Sequence, residues 1–173
     1  DLPDEKQMTA TLAALKAFGA PYGMILTELD AVGMIDTVVE EAGKVFVSTE
    51  LGGAATSTIE TISVAERGVM NILKHTGVVA GEPDIPEPSK LIHTPTGACF
   101  VSARTEGLFE ICHDLGAHVE EGDVIARVHY LEDPDRAPTD LIAGVSGQIV
   151  CRHMPGLIKR GDCAAVIAEP WPG

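Results

Sequence analysis

Residues 44–53 read Lys44-Val-Phe-Val-Ser-Thr-Glu50-Leu-Gly-Gly53. The run from Lys44 to Thr49 is rich in β-branched and aromatic residues, which is typical of a buried strand in an α/β sheet. Glu50 comes at the end of that strand, and the two glycines after it allow a sharp turn. Because ligands of α/β sheets bind outside the carboxyl ends of the strands, we expect Glu50 to face a ligand-binding crevice. The structural alternative is that Glu50 caps the next helix or pairs with a lysine.

Helix and strand patterns alternate on both sides of this stretch. They predict helices over residues 4–18 and 36–42, a strand over 22–29, and a long helix from Thr56 or Ser57 to His75. This order is that of an α/β sheet with helices on its faces, and with about two strands the sheet is incomplete. Five apolar residues of the long helix are expected to face the core: Ile59, Ile62, Val69, Met70 and Leu73.

Three prolines interrupt the chain within Gly81-Glu-Pro-Asp-Ile-Pro-Glu-Pro-Ser89. Proline fixes φ and disfavours helix at the preceding residue, so this segment is predicted to be an extended linker. We therefore divide the chain into an α/β part, residues 1–85, and a second domain, residues 86–173.

The second domain contains an internal repeat. A strand that begins at Gly107 and a later turn at Gly122-Asp123 are echoed by a strand from Gly147 and a turn at Gly161-Asp162. A duplicated strand–turn–strand unit buries its apolar faces by packing one copy on the other, which predicts a small all-β barrel-sandwich. That shape resembles biotinyl and lipoyl carrier domains, but the connection over residues 130–140 has no lysine to carry a cofactor.

Composition excludes several function classes. The formal net charge is −14 and the sequence pI about 4.6, so the surface repels nucleic-acid backbones and anionic membranes. No apolar run approaches the roughly 18 residues that span a bilayer. The four cysteines form no C-x-x-C pair, and without a secretory signal they are expected to be reduced thiols of a cytoplasmic protein.

Three segments together resemble the succinylglutamate desuccinylase/aspartoacylase family of the zinc carboxypeptidase clan. They are Thr27-Glu-Leu-Asp-Ala-Val-Gly-Met34, the stretch at residues 44–53, and the Glu66-Arg-Gly helix. The β segment Pro155-Gly-Leu-Ile-Lys-Arg-Gly-Asp162-Cys163 is similar to the family's C-terminal domain. Within the family, the chain looks most similar to the N-acetyl-diaminobutyrate deacetylases.

The resemblance implies that residues 1–85 are the C-terminal part of a zinc-peptidase-like catalytic domain. It also implies that Glu50 is the general base and acid of a zinc-dependent deacylase. Such a carboxylate takes a proton from zinc-bound water as the water attacks an amide, and then passes it to the departing amine. The substrate would be a small N-acyl amino acid or N-acetyl-diamino acid.

The loop from Glu28 to Asp36 matches the pocket-lining loop of the clan. Asp30 and Gly33 are candidate substrate contacts, since an acidic side chain there could receive the free amine of a diamino acid. Glu28 is a weaker candidate, and a role for these residues in bracing the loop remains open.

Zinc is held in this family by two His and one Glu, drawn from an H-x-x-E-type pair and a later His on early strands. We expect those ligands upstream of Asp1, in a missing N-terminal half of the catalytic domain, so that this chain alone binds no zinc. A new site built from Cys112, His113 and His118 is a weaker alternative, because these residues lack regular ligand spacing.

A different class of function stays open at this point. The chain could be a non-catalytic binding or adaptor module that acts through its lipoyl-like β domain. Glu50 with its Gly-Gly favours the enzyme, because an adaptor has no need of it. A homo-oligomer is compatible with either function.

Overall fold

The computed structural model describes residues 4–26, 34–54, 56–154 and 156–173. The chain divides into two compact units, Asp1–Leu91 and Ile92–Gly173. The first contains the α-helices and one strand, and the second is built mainly from β-strands. The proline-rich segment at residues 81–89 therefore belongs to the first unit.

The first unit contains helices α1 (Glu5–Phe18), α2 (Ile35–Glu41) and α3 (Ile59–His75) and strand β1 (Tyr22–Ile25). Asp4 caps α1 by accepting hydrogen bonds from the backbone N–H groups of Lys6 and Gln7, and Gly19 ends the helix at φ 74°. Thr58 and Thr61 form a reciprocal capping box at the start of α3. The predicted helices are therefore present, with the α3 cap one to two residues later than expected.

The core of the first unit lies between α1 and α3. Ala14 and Ala17 of α1 are buried, as are Val64 and Gly68 of α3. A Cβ atom at Gly68 would lie 2.3 Å from Cζ of Phe18, so the glycine lets the aromatic ring of α1 rest on the backbone of α3.

Asn71 fastens the proline-rich segment to this helix pair. Its side chain is buried, its Nδ2 donates to the carbonyl of Asp84 at 2.9 Å, and its Oδ1 accepts from the Asp84 N–H at 2.7 Å. Ser89 Oγ donates to the carbonyl of Ala20 at 2.6 Å. The predicted linker is thus tied to the first unit at two points.

Two expectations about the first unit are wrong. Residues 44–50 form no strand, because no described residue pairs with them and a strand exists only in a ladder with a neighbour. Four of the five apolar residues of α3 that were expected to face the core are exposed, namely Ile59, Ile62, Val69 and Met70, and Leu73 is half-buried. The side of α3 that packs on α1 is the opposite one.

The second unit is an all-β structure of antiparallel pairs. Its strands are β2 (Lys90–His93, shared with the end of the first unit), β3 (Phe100–Ser102), β4 (Gly107–Ile111), β5 (His118–Val119), β6 (Val124–His129), β7 (Thr139–Ile142), β8 (Gly147–Arg152), β9 (Leu157–Ile158) and β10 (Cys163–Pro170). In one sheet β10 pairs with β2, β3 and β8, and β8 pairs with β5. In the other, the order is β7-β6-β4-β9.

The repeat seen in the sequence is a repeat in space. Gly122 and Gly161 adopt φ of 95° and 94°, and the aspartate after each accepts a hydrogen bond at 2.9 Å from the backbone three residues earlier. The copies exchange their short strands: β4 pairs with β9 of the second copy, and β8 pairs with β5 of the first.

The two sheets share one core of buried side chains from seven strands or their ends, including Val119, Ile125, Ile149, Ile158 and Ile167. The described strands form two open sheets with no closed barrel. The coarse expectation of an α/β part followed by an all-β part agrees with this architecture. Among the described residues, no helix is long and apolar enough to cross a bilayer.

Candidate functional site

The segment that carries Glu50 is anchored at its start by Gln7 of α1. The Gln7 Nε2 group donates to the carbonyl of Glu40 at 2.9 Å and to the carbonyl of Lys44 at 2.8 Å. These two bonds join the end of α2 and the beginning of residues 44–50 to the first helix. Sequence analysis did not identify Gln7, because a polar residue in the first turn of a helix carries no sign of a long-range role.

The glycines after Glu50 are required by the turn that follows. Gly52 and Gly53 have φ of 100° and 91°, values that other residues rarely adopt. A Cβ atom at Gly52 would lie 2.1 Å from the carbonyl oxygen of Thr56. The Thr56 N–H and hydroxyl both donate to the carbonyl of Gly53, at 2.9 and 2.8 Å. The turn therefore closes tightly just before α3.

Glu50 is exposed, and its carboxylate makes no hydrogen bond or ion pair with a described residue. The alternative in which it pairs with a lysine is thus not seen among these residues. A carboxylate in this state is free to accept a proton from, or return one to, a bound molecule.

The candidate substrate contacts Glu28, Asp30 and Gly33 lie outside the described residues. Their roles stay predictions.

The described residues do not provide a site that fits zinc, because no three His, Cys, Asp or Glu side chains among them come together. The H-x-x-E spacing occurs twice. His129 is followed by Glu132, but Nε2 of His129 is 2.6 Å from Oε2 of Glu110. His118 is followed by Glu121 at the same spacing. However, that pair begins in the two-residue strand β5, and His118 Nε2 lies 3.4 Å from Oε1 of the neighbouring Glu120. The spacing alone therefore makes no metal centre here.

A second group of polar side chains lies on the β unit, across β4, β6 and β7. Oε2 of Glu110 is 2.6 Å from Nε2 of His129, and this hydrogen bond is the main cause that lowers the pKa of Glu110 below its ordinary 4.5. Arg127 Nε is 3.2 Å from Asp140 Oδ1, and its Nη1 is 3.8 Å from Glu110. These charges satisfy one another.

Beside this network is a shallow concavity of about 630 Å³. The Arg136 guanidinium stacks 3.7 Å above the ring of Tyr130, and the Tyr130 hydroxyl is 2.6 Å from Thr139 Oγ1. The hydrogen bond with Thr139 is the main cause that lowers the pKa of Tyr130 below its ordinary value. The ionisable side chains around this concavity are already paired with one another, so we assign them no catalytic role.

Comparison with known proteins places the Glu50 segment in a family. A profile of the succinylglutamate desuccinylase/aspartoacylase catalytic domain matches residues 1–76. The N-alpha-acetyl-L-2,4-diaminobutyric acid deacetylase of Halomonas elongata is 43% identical over 169 residues, which are 97% of this chain and 49% of that protein.

Solved structures show the same likeness. The product-bound ectoine utilization protein EutE (DoeB) from Ruegeria pomeroyi is 44% identical, with a TM-score of 0.92 over 97% of this chain and 51% of its own. A succinylglutamate desuccinylase/aspartoacylase from Rhodobacter sphaeroides is 33% identical, with a TM-score of 0.91 over 99% of this chain and 52% of its own. The fold matches the C-terminal part of such structures, and the chain spans about half the length of these relatives.

Proposed function

Because the chain belongs to the succinylglutamate desuccinylase/aspartoacylase family, we propose that it forms the C-terminal part of a zinc-dependent deacylase. The reaction is hydrolysis of the amide bond of a small N-acyl amino acid, with an N-acetyl-diamino acid as the preferred substrate. The relatives support a deacylating hydrolase, and the substrate is inferred from the 43% identity to a diaminobutyric acid deacetylase.

The observation that carries the proposal is the open carboxylate of Glu50 within the matched residues 1–76. Glu50 accepts a proton from the attacking water as the new C–O bond forms at the amide carbon. It then delivers that proton to the amine nitrogen as the C–N bond breaks. Zinc, when bound, supplies water activation and polarises the carbonyl. The described residues of this chain do not hold it.

Two sets of hydrogen bonds anchor the backbone on either side of Glu50. Gln7 fixes the beginning of its segment, and the Gly52–Thr56 turn fixes the end. A general base must stay within hydrogen-bond reach of the proton that it takes, so a segment held at both ends suits this role.

The test uses a fusion of this chain behind the part of the Halomonas elongata deacetylase that it does not match. With N-α-acetyl-L-2,4-diaminobutyrate, we expect acetate release that a chelator abolishes and zinc restores. Glu50→Gln keeps the shape of the side chain but removes the proton acceptor, and should lower kcat by about 10²–10⁴-fold with unchanged metal content.

Glu82→Gln is the matched control, because Glu82 is an exposed carboxylate of the same unit outside the Glu50 segment. It should leave kcat unchanged. Turnover by Glu50→Gln equal to that of the Glu82 variant would remove Glu50 from the mechanism. A well-folded fusion without any turnover would favour the adaptor function instead.

Substrate recognition is proposed for the loop of residues 28–36. Asp30 receives the free amine of the substrate, Gly33 leaves room for it, and Glu28 supports the loop. Asp30→Asn in the same fusion should raise KM more than it lowers kcat, whereas Glu28→Gln should change both parameters less.

The second unit is proposed to be a barrel-sandwich without a carrier role. The paired Gly-Asp turns and the exchange of short strands between the copies support this shape. The absence of lysine from residues 130–140 excludes attachment of biotin or lipoate there.

A further inference from the structure

Helix α3 has two faces of opposite character. One face packs on α1 through Val64, Gly68 and the amide of Asn71. The other carries Ile59, Ile62, Val69, Met70 and Leu73, at the three- and four-residue spacings that bring side chains onto one side of a helix. These five residues are hereafter the outer face of α3.

Four of the five residues of the outer face are exposed, and Leu73 is half-buried. Ile59 is 87% exposed and Val69 57%, and the adjacent Ile62 and Met70 are exposed as well. Single exposed apolar residues are ordinary on protein surfaces, but a stripe at helical spacing is typical of a face that is buried against another element. Helix α2 repeats the pattern, because Ile35 and Val38 are exposed and none of its described residues is buried.

We propose that the outer face of α3 is a docking surface for the remaining part of a desuccinylase/aspartoacylase catalytic domain. The occupant is the polypeptide that corresponds to the portion of the relatives that this chain does not match, on the same or a separate chain. The identity of this occupant rests on the proposed function, whereas the existence of the surface does not.

The extent of the family match supports this occupant. The catalytic-domain profile runs over residues 1–76, and α3 with its C-cap Thr76 lies entirely within that range. The relatives are about twice as long as the stretch that they share with this chain. The outer face therefore belongs to a catalytic domain of which this chain supplies one portion.

Charge disfavours a second copy of this chain as the occupant. Each copy has a formal net charge of −14, so two copies repel each other. Glu66 lies among the apolar residues of the outer face, is exposed, and has no ion pair with a described residue. A two-fold symmetric contact centred there would bring two Glu66 carboxylates together. The expected occupant instead offers an apolar stripe with a cationic or hydrogen-bond-donating group opposite Glu66.

Co-expression tests the proposal. The 173-residue chain is produced together with the unmatched portion of the Halomonas elongata deacetylase, one of them tagged, and the purified complex is examined by analytical ultracentrifugation and titration. We expect a one-to-one complex with the wild-type chain. Val69→Lys places a charge on the outer face and should weaken the complex at least about tenfold.

The control is Val78→Lys. Val78 is the same residue type, is 71% exposed, and lies beyond the end of α3. This variant should bind as the wild type does. Circular dichroism and the melting temperature of each variant alone check that Val69→Lys folds, which its exposed position in a helix allows.

Several results would overturn the proposal. The first is a wild-type chain that forms no complex, and the second is equal binding by the two lysine variants. The third is self-association that Val69→Lys abolishes, since a second copy of the chain would then be the occupant. Glu50→Gln in the same complex separates the two proposals. It should assemble normally but lose turnover. A wild-type complex that assembles but hydrolyses nothing would refute the proposed function while leaving the docking surface intact.

Discussion

The two units of this molecule bury their apolar residues to very different extents. In the second unit two sheets close on a shared core, and Ile125, Ile149 and Ile167 have no exposed surface. In the first unit two of the three isoleucines of α3, Ile59 and Ile62, are exposed. Since each large apolar side chain contributes about 1.5–3 kcal/mol when it is fully buried, the first unit leaves much of its potential stabilisation unused.

The reason lies in how each unit obtains its partners. In the second unit the two copies of the repeat pair with each other, β4 with β9 and β8 with β5, and both copies lie within the 82 residues from Ile92 to Gly173. The strand-like run at residues 44–49 and the outer face of α3 find none among the described residues. Apolar residues at strand or helix spacing are therefore buried in the second unit, whereas many of those in the first unit are exposed.

The largest expected difference is between two isoleucine truncations. Ile149→Ala should lower the free energy of unfolding of the second unit by about 2–5 kcal/mol, because it leaves a cavity in a closed core. Ile59→Ala, at an 87% exposed position, should change it by no more than about 0.5 kcal/mol. Urea unfolding of both variants measures this, and a large cost for Ile59→Ala in the chain alone would contradict the comparison.

The two Gly-Asp turns of the second unit should show a smaller effect on the free energy of unfolding, and the effect should be the same in both copies. Asp123→Ala removes the bond to the Glu120 N–H, and Asp162→Ala removes the bond to the Lys159 N–H. Each should cost about 0.5–1.5 kcal/mol of unfolding free energy, and the two costs should agree within error. Clearly unequal costs would show that the copies are alike in shape but not in energetics.

The smallest effect on stability is expected at the surface of the second unit, where the hydrogen bond with His129 lowers the pKa of Glu110. A carboxyl group whose pKa is lower in the folded state stabilises the fold above its unfolded pKa, and that stabilisation is lost as the pH falls through the folded pKa. The window therefore lies below about pH 4.5, and the effect is small because both side chains are exposed.

Carboxyl NMR titration checks this expectation. The Glu110 pKa should move back toward its ordinary 4.5 in His129→Ala, and stay lower in His129→Gln, whose amide can still donate to the carboxylate. An unchanged Glu110 pKa in His129→Ala would assign the shift to Arg127 instead.

The sequence predicted many of the helices and turns, but it did not predict which of their side chains are exposed or which strands pair. The helix predicted over residues 4–18 and the doubled turns at Gly122 and Gly161 are present, since helical periodicity and positive φ depend on residues a few positions apart. The strand at residues 44–49 did not form, because strand pairing depends on a distant neighbour that no local pattern contains.

The candidate site was predicted unevenly for the same reason. The two glycines after Glu50 were expected to turn, and they do so at φ values of 100° and 91°. Glu28, Asp30 and Gly33 lie outside the described residues, so their predicted roles are untested. Gln7 was missed because its two bonds reach residues more than thirty positions away.

The crossed pairing of β4 with β9 and of β8 with β5 also bears on how this unit can change over time. Each half of the duplication supplies a short edge that the other half requires. An insertion or a register shift in one half alone would leave the short strand of the other half without its hydrogen-bonding partner. Divergence of the duplicated halves is therefore expected mainly at outward-facing positions, with the pairing edges changing in concert or not at all.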